Sequence, residues 1–438
     1  MYSKKQLRGW YFYDWANSSY PLVINTAIFP IYYAAVAKTG DSDYVNLWGF
    51  SFLNSELYSY AIALSYFLVC CITPLLSGIA DYSGRKKDFL RGFCMFGALC
   101  CALLSQFTSN NLAFGLVCAM GASIGFSGSL VFYNGFLPEI APPEDQDKVS
   151  AKGFAMGYIG SSILLISILA IIMKPTLFGL PMQNMTDAQI FLTIAPYSFI
   201  AVALWWFGFA NITFASLDNS PSPKKTQTSL LTAGFRELLG VWKQIQYQPQ
   251  LKIFLAAFTL YSMGVQTVIL MATFFGEQEI GLQSSDLITT VLIIQFIAVG
   301  GSYLFSALSA RYGNVKSLSL TLCIWIGVCL GAFFISTITH YFIEAAFVGL
   351  VLGGIQSLSR STYSKLLPAT HNHASYFSFY DICEKSGVVI GMFSYGWLTG
   401  ITGSMRNSIV ALMIFFIAGL ILLLFLPRYQ STQQSIAS

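Results

Sequence analysis

The chain has 438 residues, of which 55% are hydrophobic and 10% charged, and a formal net charge of +4; its mean hydropathy is +0.64. That composition excludes a water-soluble globular domain, and it carries no electrostatic footprint for nucleic acid. It describes a helical integral membrane protein embedded in lipid.

Crossing a bilayer as a helix takes about 20 mostly apolar residues. In chain order the sequence offers such stretches at 10–37, 57–79, 89–107, 111–137, 151–173, 190–213, 251–275, 286–310, 317–338, 341–367, 374–400 and 405–426. The fold class expected is an all-α integral membrane protein of twelve spans. The first span has no small-residue cleavage site behind it and is expected to remain as a helix, not to leave as a signal peptide. It is also polar for its place: "YDWANSSYPLVINTAIFPIYY", Tyr13 to Tyr33, contains Asp14, Asn17 and Asn25. Asp14 lies six residues past Arg8, about 9 Å further along a helix, where an ionised carboxylate is costly without water or a partner. Asp14, Ser18, Pro21, Asn25 and Tyr32 follow at intervals of four, three, four and seven, so this face is expected to line a central cavity.

Between the second and third spans stands "SGIADYSGRKKDF", Ser77 to Phe89. Gly84 permits a tight turn, Arg85, Lys86 and Lys87 hold the loop on the inner side, and Asp81 is placed to accept hydrogen bonds from a helix N-terminus. In the fourth span Gly121, Gly125 and Gly128 suit close helix packing, while Tyr133 and Asn134 read equally as ligand contacts or helix-end anchors. "GASIG" and "GFSG" in that span match serine-hydrolase patterns in letters only. Ser123 and Ser127 sit inside an apolar helix, and His340, His371 and His373 fall near membrane surfaces, so no base is at hand and no enzyme is expected.

Composition breaks at 214–250, where "LDNSPSPKKTQTS" reads as a solvated linker. Leu231, Phe235, Leu238, Trp242 and Ile245 then recur at helical spacing up to Pro249, as an amphipathic helix on the inner membrane surface or a simple spacer would. In the seventh span Thr259, Ser262, Gln266 and Thr273 share a face; in the tenth, Gly349, Gly353, Gln356, Arg360 and Tyr363 do; the eleventh opens with Asp381, Glu384 and Lys385. All nine cysteines lie within spans and form no CxxC pair, as small apolar fillers would. His371 and His373 alone make a poor metal site, and no cofactor is expected. With the N-terminus inside, only Lys38, Lys174 and Arg406 of the 23 Lys and Arg fall in outer loops, so both termini are expected in the cytoplasm.

The turn at 77–89 has a counterpart in "SALSARYGNVKSL", Ser306 to Leu318, which aligns Gly84 with Gly313 and Lys87 with Lys316, the trace of a duplicated six-helix unit. Asp81, Gly84, Arg85, Lys86 and Lys87 resemble the cytoplasmic signature of the major facilitator superfamily. Ser77 and Tyr82 depart from that pattern, which usually has Gly and a basic residue there, and the second copy has Ala310 in place of the Asp. "YDWANSSY" at 13–20, "FYNGFLPEIAPPEDQDKVSAKGFAMGYIGS" at 132–161, "GGIQSLSRSTYSKLLP" at 353–368 and "YFSFYDICEKSG" at 376–387 are similar to the vacuole-effluxer-like branch of that superfamily, whose fungal members export amino acids from the vacuole. The similarity runs over nearly the whole chain.

The resemblance implies a permease with two pseudo-symmetric six-helix halves, 1–213 and 251–438, joined by the linker at 214–250. It implies alternating access, a cavity lined by the first, fourth, seventh and tenth spans, and a cytoplasmic gate latched by the 77–89 loop. An amino acid or a similar small zwitterion is the implied substrate, with protons as the candidate coupling ion. An exporter of another solute, such as a drug or a sugar, and a non-transporting sensor or scaffold on the same fold are the alternatives. The compact chain is more similar to bacterial relatives, so a monomer in a bacterial cytoplasmic membrane is expected.

Asp14, Asp381 and Glu384 face two cations, Arg360 and Lys385, which leaves one carboxylate without a counter-charge. Two readings remain open. In the first, Asp381 and Lys385 pair at i, i+4 and the rest form a cytoplasmic latch between the halves. In the second, Arg360 holds a substrate carboxylate, and Asn17, Tyr20, Asn25, Gln266, Gln356 and Tyr363 supply its other contacts. Glu384 then reaches Arg360, and the spare acid, Asp14 first, carries a coupling proton.

Overall fold

The computed structural model describes residues 3–37, 44–47, 49–182, 184–219 and 230–426. Long helices make up nearly all of it, because in hydrocarbon every backbone N–H and C=O must be satisfied within the segment. They are α1 (Lys4–Ala37), α2 (Asn54–Ser83), α3 (Lys86–Leu103), α4 (Leu112–Asn134), α5 (Gln146–Met173), α6 (Asp187–Ser216), α7 (Leu230–Tyr247), α8 (Pro249–Ile280), α9 (Ser284–Tyr312), α10 (Asn314–Phe334), α11 (Ile338–Leu366), α12 (His373–Thr402) and α13 (Met405–Leu424). The expected spans fall on α1–α6 and α8–α13, and α7 is the linker helix. Among the described residues, 11 helices are long and apolar enough to cross a membrane. The exception is α12, 30 residues long, whose Asp381, Glu384 and Lys385 join Ser, Gly and Tyr residues in diluting its apolar ones. A short antiparallel hairpin precedes α2: β1 (Tyr44–Leu47) and β2 (Phe50–Leu53), with Tyr44 opposite Leu53.

The even helical spacing assumed for the first span does not hold. Tyr20–Ile28 forms a π-helical stretch within α1, with Pro21 in its first turn and Pro30 just past its end, neither of which has an N–H for the preceding turn. The wider turn rotates everything beyond it. Tyr32, expected on the cavity face with Asp14, is buried and donates from its hydroxyl to the Phe107 carbonyl at 2.9 Å.

Two hydrophobic cores form. One gathers residues of α1–α6 around Trp10, Phe132, Phe199 and Trp206; the other gathers α8–α13 around Phe258, Trp325, Tyr363 and Phe416 and takes in Val241 and Ile245 of α7. Small residues let helices approach where lipid provides no hydrophobic driving force: a Cβ on Gly353 would collide with the Ala298 carbonyl, and one on Gly301 with that of Leu350, so α9 and α11 touch backbone to backbone. The two sets of helices meet along α5 against α9 and α11, and along α2 against α12.

Helix α7 buries Ala233, Gly234, Val241 and Ile245 and exposes Leu231, Phe235, Leu239 and Trp242. Gly234 and Gly78 touch backbone to backbone, which seats α7 on α2. On its other side Glu237 accepts from Asn372 Nδ2 at 3.0 Å, Gln244 accepts from the Tyr376 hydroxyl at 2.6 Å, and Trp242 lies 5.5 Å from the Phe379 ring. The tract at 220–229, expected to be a flexible linker, lies outside the described residues.

Candidate functional site

Asp14 and Arg360, 346 positions apart, form a buried ion pair. Both Arg360 Nη1 and Nη2 donate to Asp14 Oδ2 at 3.2 Å, and the two side chains are 6% and 3% exposed. The Tyr133 hydroxyl donates to the same oxygen at 2.7 Å. Arg360 Nε donates to Ser150 Oγ and Nη2 to the Ser150 carbonyl, both at 2.9 Å. Three rings flank the guanidinium: Phe154 at 4.0 Å, Trp10 at 4.6 Å and Tyr133 at 5.6 Å. Planar, delocalised and weakly hydrated, an arginine tolerates such a dry aromatic slot better than a lysine would. Gly153 leaves the room, since a Cβ there would press on Asp14 Oδ2, Trp10 and Arg360 Nη2.

Further contacts join α5 to α9, α10 and α11. Asp147 takes Lys365 Nζ at 2.7 Å, Ser309 Oγ at 2.7 Å and Asn314 Nδ2 at 2.8 Å. Ser150 Oγ donates to the Ser357 carbonyl at 2.8 Å, and the Tyr158 hydroxyl to Gln356 Oε1 at 2.5 Å. On the opposite seam Asp81, at the end of α2, caps the N-terminus of α12: Ala374 N–H donates at 3.2 Å and Ser375 N–H and Oγ at 2.7 Å each. The helix dipole favours a carboxylate there. Gly84 has φ of 68° and turns the chain so that Lys86 is buried on Glu139, which also lies 2.9 Å from His373 Nδ1. Among the described residues, Arg85 pairs with Asp88, at the surface.

Apart from the Tyr158–Gln356 contact, which lies near the middle of α5, these bridges gather toward the end of the bundle where α1 begins. One further charged group stands apart, on α12. Asp381 and Lys385 are eight and twelve residues into α12, about 12 and 18 Å from its start. Lys385 Nζ lies 3.6 Å from Asp381 Oδ1 and 3.4 Å from Glu384 Oε2, and Gln266 Nε2 of α8 donates to Glu384 Oε1 at 3.1 Å. The Tyr66 ring of α2 lies 5.6 Å from the ammonium. Asp381 Oδ2 is buried with no partner among the described residues, while the Glu384 side chain is 24% exposed.

The single charge cluster drawn from the sequence is therefore two. Arg360 is satisfied by Asp14, Ser150 and aromatic faces, and Glu384 does not reach it. The uncompensated carboxylate belongs to the Asp381–Glu384–Lys385 group, not to Asp14, because Arg360 and Asp14 take each other while Lys385 alone faces both Asp381 and Glu384. Tyr20, expected to face a ligand, is buried between Phe126 and Trp206; Tyr363 is buried in the second core and donates to the Tyr376 carbonyl at 2.6 Å. Asn17 is buried, with Nδ2 unpartnered among the described residues, and Asn25 is half-buried within the π-helical stretch. Gln356 and Gln266 stand apart, one on Tyr158 and the other on Glu384. Sequence reasoning missed Ser150, Gly153, Phe154, Asp147, Lys365 and Glu139 as bridge residues.

Paired helical cores, bridged by polar contacts toward one end and holding a charge group near the middle of α12, define a transporter of the major facilitator type, a secondary transporter working by alternating access. Solved structures agree in fold. The transporter FucP in the outward conformation superposes with a TM-score of 0.67 at 14% identity over 97% of this chain and 99% of its own. A bacterial homologue of the iron transporter ferroportin in its outward-facing state gives 0.65 at 12%, over 96% and 98%. The profile described as "Vacuole effluxer Atg22 like" matches residues 2–435, and the chain belongs to that family. The MFS-type transporter YxiO of Bacillus subtilis (strain 168) is 33% identical over 432 residues, 98% of this chain and 97% of its own. Autophagy-related protein 22-1 of Penicillium rubens is 22% identical over 559 residues, 99% and 92% of the two chains. The protein is a multi-pass membrane transporter and not an enzyme.

Proposed function

We propose that this transporter moves amino acids or similar small zwitterions across a bacterial cytoplasmic membrane, with both termini in the cytoplasm and protons as the coupling ion. Its two six-helix halves rock about a midplane site. In the state described here the cytoplasmic end is closed by the bridges of α5 with α9 and α11 and by the Asp81 cap on α12. Asp14 and Arg360 act in this reading as the deep lock of that gate, which favours the latch over the substrate-clamp role for Arg360. Opening inward parts them and lets water reach both.

The observation that carries the substrate reading is the group of two carboxylates and one ammonium near the midplane, with Glu384 partly accessible. A zwitterion complements such a group: its ammonium matches Glu384 and the unpartnered Asp381 oxygen, and its carboxylate matches Lys385, with Gln266 as a neutral donor. A hydrophobic drug gains nothing from two buried charges and a partly accessible third, which disfavours that alternative. The surplus carboxylate is the group that binds a proton when the substrate's ammonium leaves.

The test is counterflow of labelled amino acids into proteoliposomes loaded with unlabelled ones. Wild-type protein should exchange at least one class of them, and Lys385→Met should lose exchange while folding normally. Absence of flux for every amino acid, with flux for a sugar or a drug, would overturn the substrate assignment and leave the transporter class standing.

A further inference from the structure

A cleft of about 440 Å³ opens between the start of α1 and the start of α5, on the opposite face of α5 from the Asp14–Arg360 pair. Three cations converge on it, Lys4 and Arg8 from α1 and Lys152 from α5. Lys4, Arg8 and Tyr11 stand at i, i+4 and i+7, which puts them on one stripe of α1. Lys152 arrives from the other wall, with Nζ 4.8 Å from the centre of the Tyr11 ring, and Arg8 lies 6.0 Å from that of Phe12. The remaining walls are apolar, from Leu7 and Met156. None of the ion pairs among the described residues engages Lys4, Arg8 or Lys152; one carboxylate, Asp145, and the Tyr303 phenol lie within electrostatic reach of Tyr11.

Retention of basic residues on the inner side accounts for their presence in loops. It does not account for their meeting across two helices around one cavity, over aromatic rings. Trp10 begins the apolar part of α1, so the cleft lies at the depth of lipid headgroups, where its cations and its apolar walls stand side by side. A cavity of this volume suits a small ligand. A multiply oxygenated anion is the chemistry that three converging cations select.

We infer that this α1–α5 cleft is a binding site for a phosphate-bearing anion, supplied by the headgroup of an acidic phospholipid in the leaflet where α1 begins. Neither substrate identity nor the charges of α12 enter the argument. Because Lys152 precedes Gly153, against which the buried ion pair lies, an occupant that draws α1 and α5 together also firms the seat of that pair.

The experiment compares full-length protein in phosphatidylcholine nanodiscs, in nanodiscs containing phosphatidylglycerol, and in phosphatidylcholine nanodiscs with inorganic phosphate, read by thermal unfolding and by lipid retention in native mass spectrometry. The site variant combines Lys4→Gln, Arg8→Gln and Lys152→Gln; a control of equal charge change combines Arg236→Gln, Lys243→Gln and Lys252→Gln, away from the cleft. Phosphatidylglycerol should raise the unfolding temperature of wild type and control, and its retention by the site variant should fall by about tenfold or more. A stabilisation by inorganic phosphate that the site variant loses assigns the same cleft to the free anion. Equal losses in site and control variants, or no response of the wild type to either probe, would overturn the proposal. Lys152→Gln alone serves should the triple variant not fold.

Discussion

Replacing Asp14 by Asn is the sharpest perturbation the structure offers. The carboxylate oxygen Oδ2 receives two guanidinium N–H groups at 3.2 Å and the Tyr133 hydroxyl at 2.7 Å, and the pair is 6% and 3% exposed. Removing one partner of a buried ion pair costs about 3–5 kcal/mol, because the other charge stays in a dry site. Here the Ser150 oxygens and three ring faces remain to Arg360, which places the cost near the lower bound. In the form open at this end water reaches the guanidinium and the cost falls away, so the penalty acts as a conformational bias of about 2–3 kcal/mol, a shift of about 30- to 150-fold toward that form. Hydrogen exchange of peptides covering 146–156 and 356–367 reads the shift, since those segments carry the bridges. Exchange should quicken in Asp14→Asn and return most of the way to wild type when Arg360→Met is added, because two absent charges cost less than one unpaired. Unchanged exchange in Asp14→Asn at normal folded yield would refute the lock.

Asp81→Asn keeps an acceptor at the start of α12 but loses the charge facing the helix dipole; a cost of about 1 kcal/mol should roughly quintuple solvent access to Ser375, measured by exchange of its amide, and an unchanged rate would reduce the loop to a topology marker. Gly153→Ala alters no charge, yet its methyl meets Asp14 Oδ2, Trp10 and Arg360 Nη2, so it should quicken exchange in the same peptides as Asp14→Asn; wild-type exchange would mean that the slot has slack. Glu384→Gln retains a partner for Gln266 but removes the surplus charge, and should abolish accumulation driven by an imposed pH gradient while leaving substrate exchange. Indifference of wild-type flux to that gradient would remove the proton from the scheme.

The helices were legible because a bilayer permits few alternatives: apolar stretches of sufficient length become spans, and twelve of the described helices coincide with the stretches read from sequence. Composition alone could not carry the face of α1 past Tyr20, since a π-helical stretch over Tyr20–Ile28, with Pro21 in its first turn, changes the residues per turn. The approach of Asp14 to Arg360 was expected; its role was left between two readings because that depends on which other charges share their level. Helix register across the seam decides this, and it put Glu384 with Gln266 and Lys385 instead. Asp147 and Lys365 were overlooked for another reason. A charge just before a span, as Asp147 is, or in its last turn, as Lys365 is, reads as ordinary helix-end polarity, and only the packing of α5 against α9, α10 and α11 turns Asp147 into the acceptor of Lys365, Ser309 and Asn314.

The placement of the two charge groups has a mechanical consequence. Lys385 and the N-terminal residue Ser375 capped by Asp81 lie on one helix, ten residues apart, about 15 Å. A ligand that binds Lys385 and Glu384 therefore acts on the same rigid element that the cap holds at its end. Binding shifts the equilibrium only by the difference in its affinity for the two states, so the gate must be closed by a margin the ligand can overcome. Several bridges of moderate strength satisfy that requirement better than one strong one: the Asp81 cap, the Asp147 cluster and the Asp14–Arg360 pair sit on different helix pairs and can be surrendered together as the halves rock. The α7 contacts with Asn372, Tyr376 and Phe379 add a tether to the start of the same helix. On this argument loss of any single bridge biases the gate without freezing it, whereas loss of Lys385 removes the ligand's grip on α12 and leaves the gate intact but unresponsive.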